Sequence, residues 1–387
     1  MTATAVAAVW LVAAVLGPRL GLSVSTWWGA SRPERASLSA RDVSCKVSLP
    51  TTWSEAITTN ETEVVPLGTG PIPFAVSADG LSYFADDYST DWSGIVEVKR
   101  VGGATREVYE FPSPSYQVYQ GAYDGRWLVW TLSATSVNPV PATLMAWDSV
   151  TGRLTTLVRD AGSSSDISFA LASSGAQARD GLLAWTIIPD LARGGGFSVW
   201  SLSRGAGASI HTGGSPGGGE FIDDHYLFVY FERSLHYGAL TTPSWQRAPE
   251  PAALKVHLER AYGDSGSAAV SVTSRDVVWV DPGGVVSQWQ SSARAPQEIA
   301  AGMRSVENLT QAGTAILWTQ SQSGDVYVFD RRSNSYARLP IRLGSYFANG
   351  NEVTLSWSPH PLLQKADPVI TSSFLDIASL PRLPGCK

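Results

Sequence analysis

Seven short apolar runs, each carrying an aromatic residue, recur along this chain at a mean spacing of about 45 residues. They are Leu81–Phe84, Trp127–Leu132, Leu182–Ile187, Tyr226–Phe231, Val277–Val280, Ala315–Trp318 and Val353–Trp357, with starts 46, 55, 44, 51, 38 and 38 residues apart. Self-similarity at that period, with several short strands per unit, predicts the blades of a β-propeller rather than a helical solenoid.

One unit is clearest between residues 116 and 158. Tyr116–Tyr123 alternates into Asp124-Gly125, a dipeptide favoured in two-residue hairpins because both positions tolerate positive φ. Trp127–Leu132, Thr143–Trp147 and Arg153–Val158 complete four strands, the last two joined by a turn at Asp148 to Gly152. Asp79-Gly80, Asp180-Gly181, Asn349-Gly350 and the weaker Ala312-Gly313 take the same place ahead of other central runs, and Asp325–Asp330 with Asn334-Ser335 repeats the third strand and its turn. The central runs are apolar on both faces, so both sides of every sheet must be covered. Neighbouring blades supply that cover in a ring, and Trp130, Trp185, Trp279, Trp318 and Trp357 are placed to wedge between them.

The seventh unit lacks an outer strand on its C-terminal side, and Glu63–Leu67 is a spare strand ahead of the first. Pairing the two removes an exposed edge. The expected fold is therefore all-β, a seven-bladed β-propeller of four-stranded antiparallel blades closed by N- and C-terminal strand pairing. Leu191–Gly196 is expected to lengthen a hairpin, and the insertion Arg247–Tyr262 fits a helix or a strand equally well.

Such a ring brings its ends together. The only two cysteines, Cys45 and Cys386, are thus expected to form a disulfide that requires an oxidising compartment. In the chain-entropy model this bridge contributes up to about 5 kcal/mol. The N-terminus agrees with export: Ala3 to Leu16 is uncharged and apolar, short for a membrane span and of the length of a signal h-region. A second apolar patch, Leu20 to Trp28, extends it toward an uncleaved anchor, while Ser23-Val24-Ser25 and Leu38-Ser39-Ala40 offer small-residue cleavage sites. Residues 1–40 are read as signal peptide or membrane anchor plus linker, and 41–387 as a single propeller domain, secreted or held at the cell surface.

Charge narrows the function. With 16% charged residues and a net charge of −6, the chain has neither a basic stripe for nucleic acid nor a polybasic tail for anionic lipid. Membrane contact is expected only through the N-terminal segment. The stretches Val76-Ser77-Ala78-Asp79-Gly80-Leu81, Ala122-Tyr123-Asp124-Gly125-Arg126-Trp127 and Ala178-Arg179-Asp180-Gly181-Leu182 resemble the Asp-Gly turn repeats of TolB-type propellers. Leu144-Met145-Ala146-Trp147-Asp148-Ser149-Val150-Thr151-Gly152-Arg153 is similar to their strand-turn signatures and to those of quinoprotein-like propellers. The resemblance covers roughly residues 60–380. It implies an exported propeller that binds proteins or envelope components, and carries no catalytic residue across; a monomer is expected.

Candidate chemistry is sparse. Gly263-Asp264-Ser265-Gly266-Ser267 looks like the nucleophile segment of chymotrypsin-like proteases, but no histidine stands upstream in the context that a triad needs. Asp86-Asp87 with Asp91, and Asp223-Asp224-His225, are the densest acidic clusters, yet no Asp-x-Asp-x-Asp-Gly loop is present and Asp commonly closes turns. No metal, cofactor or catalytic residue is expected. Polar and aromatic residues at strand ends are the expected ligand contacts: Asp86, Asp87, Tyr88, Trp92, Asp223, Asp224 and His225. The expected role is non-catalytic binding of a protein or envelope glycan. The alternatives are a hydrolase or lyase acting on polysaccharide, which needs carboxylates, histidines or arginines converging from several blades, and a purely structural envelope component.

Overall fold

The structure is a computed structural model. It describes residues 44–386 except 60, 65–71, 89–91, 135–141, 160–176, 188–195, 212–215, 223–224, 231–234, 242–243, 248–269, 273–275, 282, 291–292, 294, 304–305, 321, 343–344 and 358–369. Strand and turn alternate here as the period-2 and turn signals require. Among the described residues the strands form seven sheets, each built around four consecutive antiparallel neighbours. The first sheet comprises Ile72–Val76, Ser82–Tyr88, Ser93–Lys99 and Thr105–Glu110. The second runs from Tyr116–Tyr123 to Leu154–Arg159, the third from Gln177–Arg179 to Ala206–His211, and the fourth from Pro216–Ile222 to Ser244–Arg247. The fifth runs from Val270–Val272 to Gln297–Ala300 and the sixth from Val306–Ala312 to Ser335–Arg342.

The seventh sheet joins the two ends of the chain. Ser345–Asn349, Glu352–Trp357 and Ile370–Asp376 pair in sequence, and Glu61–Val64 adds antiparallel to the last of them, Glu61 opposite Ser373 and Val64 opposite Ile370. The spare strand thus lies where the missing one was expected, shifted two residues toward the N-terminus; residues 65–67 lie outside the described residues.

Each sheet has a hairpin end, where strands one and two, and three and four, are joined, and a loop end, where strands two and three join and the chain passes onward. Hydrogen bonds align the hairpin ends of neighbouring sheets. Gly313 N donates to Gly350 O (2.7 Å), Asn349 Nδ2 donates to both Val76 O and Tyr123 O (3.0 Å each), and Gly181 N donates to Asp124 Oδ2 (2.8 Å). Sheets six, seven, one, two and three therefore present one common face.

Aromatic side chains fill the seams. Trp130 packs with Phe74, Phe84 and Ile95 of the first sheet, Trp185 with Val129 and Leu144 of the second, and Trp318 with Val278, Val286 and Ile299 of the fifth. Trp130, Trp185, Trp279 and Trp318 are all buried; the Trp357 side chain lies outside the described residues. Full burial of each contributes roughly 2–3 kcal/mol relative to exposure.

Sequence periodicity gave no sign of the helix Thr51–Thr59 (α1), which has only two apolar side chains at i, i+4 spacing, Trp53 and Ile57, too few for a periodic signal. Both are buried in the seam of the sixth and seventh sheets among Leu317, Val328, Leu339, Leu355 and Leu375. Pro50 O accepts from Trp53 N, opening the first turn. Upstream, Cys45–Lys46 adds a fifth strand, parallel, to the sixth sheet, and Cys45 is disulfide-bonded to Cys386. The bridge expected from ring topology is present. Of the insertion Arg247–Tyr262, Arg247 is the last residue of the strand Ser244–Arg247, and residues 248–262 lie outside the described ones. Residues 191–195 of the expected long hairpin lie outside them too.

The turns differ in detail from the sequence reading. Only Asp180-Gly181 is a two-residue loop with positive φ at both positions (50° and 73°). At Asp124-Gly125 the last pair is Tyr123 with Leu128, and Asp124 Oδ1 accepts from Arg126 N and Trp127 N. At Asp79-Gly80 the carboxylate accepts from Leu81 N and from Ser77 Oγ (2.6 Å), which holds its pKa below the ordinary value. The side-chain acceptors add to the backbone turn, in which Gly80 N donates to Ser77 O (2.9 Å), and the loop is longer than two residues.

Candidate functional site

Asp86, Asp87, Tyr88 and Trp92 lie at the loop end of the first sheet, on the second strand and just before the third. Side chains alternate along a strand, so the adjacent carboxylates part company. Asp86 shares the Phe84 face toward the second sheet, and Asp87 shares the Tyr83 face toward the seventh. Asp86 is buried, with Ile72 and Ile95 as its strand partners. Burial, and then the charge of Asp87, push the Tyr83 hydroxyl above its ordinary pKa. Tyr83 in turn stacks on Phe374 of the seventh sheet, centroids 4.7 Å apart.

Trp92 is half-buried against Tyr83, Ala85, Val96, Val98 and Phe374. Gly94 lies directly beneath it: a Cβ there would stand 2.6 Å from the indole ring and would also collide with Tyr109 O. The glycine is what lets the indole lie down over the end of the strand. Asp87, Tyr83 and Trp92 thus form a small aromatic and anionic group at the junction of the first and seventh sheets. The Tyr88 side chain is outside the described residues.

Of the second expected cluster, Asp223, Asp224 and the His225 side chain lie outside the described residues; in the sequence the two aspartates come between the strands Pro216–Ile222 and His225–Tyr230.

The structure also shows a set of buried charges that sequence reasoning missed. Asp148, the last residue of a third strand, takes a bidentate pair from Arg126 (Nε to Oδ1 3.0 Å, Nη2 to Oδ2 2.7 Å), which holds its carboxyl far below the usual range. Asp330, in the same position of the sixth sheet, accepts from Arg332 Nε (2.9 Å) and from Leu383 N (3.0 Å). Arg331 reaches back to Asp276 (3.2 Å), Gln288, Gln311 and Gly313 O, and burial lowers its pKa. Glu352, pressed against Gly80, pairs with Arg100 at 3.3 Å, yet burial pushes its carboxyl above the ordinary value. A recurring Asp at the end of third strands was the available signal. Arg331–Asp276 and Arg100–Glu352 tie neighbouring sheets together, and Arg126–Asp148 and Arg332–Asp330 brace turns within one sheet, a structural use. Among the described residues no group of three or more acidic, histidine or cysteine side chains is arranged to hold a metal ion.

No family model matches the chain, and no curated protein sequence matches it. Solved structures do. The β-propeller domain of the trilobed protease from Pyrococcus furiosus superposes with a TM-score of 0.51 at 9% identity, over 81% of this chain and 97% of that one. Oligogalacturonate lyase from Vibrio parahaemolyticus gives 0.50 at 10% identity, over 81% and 96%. PorZ, a surface component of the type-IX secretion system of Porphyromonas gingivalis, gives 0.48 at 13% over 76% of this chain, which spans only 36% of PorZ. At these identities the likeness concerns the fold, and together with the succession of four-stranded sheets it makes the chain a β-propeller.

Proposed function

We propose that this chain is an exported or cell-surface, seven-bladed, TolB-like propeller, closed by its terminal strands, that works as a non-catalytic binding module for a protein or envelope glycan. The observation that carries the reading is the terminal clasp. Glu61–Val64 pairs in the last sheet and the Cys45–Cys386 bridge joins the two ends of the chain, which supports a ring closed at its termini in an oxidising compartment. A closed, rigid ring is a scaffold for recognition at its loop ends. Asp87 and Trp92, with Asp86 and Tyr88 beside them, are the ligand contacts proposed there; half-buried tryptophan next to a carboxylate suits either a sugar face or a peptide. Asp223, Asp224 and His225 are proposed as further ligand contacts.

The test is binding of the full chain to solubilised envelope proteins and to purified cell-wall polysaccharide, with Trp92→Ala and Asp87→Asn compared against Asp180→Asn at the hairpin end. The expected result is a loss of about tenfold or more for the first two and none for the third, in line with removal of an aromatic anchor. Equal binding by all variants would remove this site, and depolymerisation of the polysaccharide by the unmodified chain would establish the enzymatic alternative instead.

A further inference from the structure

We propose that the hairpin end of the propeller is its membrane-facing surface: the turn tips Leu81, Val101 and Val150, with Leu154 beside them, sit in the interfacial layer of a bilayer to which the apolar N-terminal segment tethers the chain.

Two independent observations converge on that end. The first is the position of the exposed apolar side chains. Among the described residues the exposed large ones are Leu81 (57%), Val101 (85%), Val150 (74%) and Leu154 (39%). Single exposed apolar residues are ordinary. These four, however, all occupy hairpin turns or a strand start, at the same end of two adjacent sheets. Val101 and Val150 stand where turns normally carry Gly, Asn or Asp. No described part of the protein covers them, since a Cβ built on Gly102, Gly103, Gly125 or Gly152 would meet no atom within 4 Å. Protruding apolar tips beside long cationic side chains suit the bilayer interface, where the tip enters the acyl boundary and the cation stays among headgroups. Arg153 precedes Leu154 at this end, while Arg100 is turned onto Gly80 O and Glu352 and Arg126 onto Asp148. Asp79, Asp124 and Asp180 share this end. Asp79 and Asp124 are engaged in their own turns, so the contact is shallow and led by apolar insertion rather than by net charge.

The second observation is where the chain enters. Cys45 is paired with Ser335, the first residue after the hairpin turn of the sixth sheet, and the two strands run parallel. The strand Cys45–Lys46 is therefore entered from the hairpin end. Ser44, buried, donates its hydroxyl to Ile299 O of the fifth sheet, which fixes the entry in the seam of the fifth and sixth sheets. The apolar segment ends at Trp28. The intervening residues reach at most about 55 Å when fully extended, which allows the face to lie flat. Tether and apolar tips sit on different sheets of one face, so together they set its orientation. The proposal is independent of the ligand site above, and it leaves the loop end pointing away from the membrane.

The experiment uses the full chain reconstituted in phosphatidylcholine vesicles, with and without phosphatidylglycerol. Nitroxide labels on Val101→Cys and Val150→Cys are compared with Glu110→Cys and Gln322→Cys at the loop end, by accessibility to oxygen and to a water-soluble nickel chelate. The first pair should lose nickel accessibility by about threefold or more in both lipids, as shallow insertion requires, and the second pair should not change. Hydrogen exchange on the unsubstituted chain is the control for folding, and should slow at 101–104 and 149–152 on reconstitution. Unchanged accessibility and exchange at these turns would overturn the proposal. Protection in native envelope membranes but not in pure lipid would overturn it in favour of a protein partner. A mature chain that begins after residue 28 would remove the tether and overturn it outright.

Discussion

The seam between the first and second sheets and the seam between the sixth and seventh are both filled by buried apolar side chains, by different means. The first is local: Phe74, Phe84, Trp130 and Trp147 come from about 75 consecutive residues, and Arg106 lies over the Trp147 ring at 4.6 Å. The second draws on both ends of the chain. Trp53 and Ile57 of α1 and Leu380 and Leu383 of the C-terminal tail fill it together, Trp53 Nε1 donates to Pro381 O (2.8 Å), and Ser373 Oγ donates to Ile57 O (2.9 Å). Closing contacts between residues more than 300 positions apart costs chain entropy that neighbouring strands do not incur. The nonlocal seam carries a covalent staple, the Cys45–Cys386 bridge, and the local one has none.

Removing the staple should have the largest effect. The double variant Cys45→Ser, Cys386→Ser is expected to lose about 4–5 kcal/mol, the upper part of the range for removal of a native disulfide. Hydrogen exchange should accelerate in Ser335–Arg342 and Ile370–Asp376 and remain unchanged in Trp127–Ala134. Uniform acceleration across all sheets would mean that the two seams do not differ in the way described.

Much of this contrast was readable in advance, and the failures are instructive. The spare strand and the missing one were legible because each sheet repeats a four-strand pattern, and a gap in a repeat is itself information. The pairing of Cys45 with Cys386 followed from the ring. Helix α1 was not legible, because its stability lies in a tertiary pocket that two side chains fill rather than in local periodicity. The turns were half legible. Asp-Gly marks their position, but whether Asp caps the turn through its side chain, as Asp124 does, depends on what Gly181 of the next sheet requires. For the candidate site, composition located acidic clusters but ignored strand direction, so Asp86 and Asp87 were read as a pair although they face different sheets. The buried partners Arg126–Asp148 and Arg331–Asp276 were invisible, since each joins residues that only the fold brings together.

The next effect in size belongs to Asp330. It organises the C-terminal tail: its carboxylate holds Arg332 and Leu383 N, while Arg332 Nη1 donates to Leu380 O (2.9 Å). With the carboxylate fully buried, Asp330→Ala leaves Arg332 and the tail amide without their acceptor and should cost about 3 kcal/mol. Asp148→Ala in the second sheet should cost less, because Arg126 is half exposed and water replaces the lost partner. Urea denaturation of the two variants measures the difference; equal losses would show that the tail adds nothing to the demand on Asp330.

The smallest effect has the opposite sign. Glu352 of the seventh sheet lies beside Gly80 of the first, where burial raises its pKa, Arg100 partly offsets that, and Asp376 and Asp79 add to it. With the folded pKa above the unfolded one, the native state binds more protons over that interval, so stability falls as pH rises from about 4.5 through the folded value. Glu352→Gln removes this decline. The variant should match or exceed the parent at pH 7–8 by less than about 1 kcal/mol, since Arg100 remains partly hydrated, and its stability should vary less with pH above 4.5. Asp148 works in the other direction: its depressed pKa gives stability that is present above the unfolded carboxylate value and lost as pH falls below it. Thermal unfolding of parent, Glu352→Gln and Asp148→Asn between pH 3 and 8 separates the two. If Glu352→Gln is instead destabilised at pH 8, the Arg100 pair outweighs burial, and the seventh and first sheets are held together by charge rather than in spite of it.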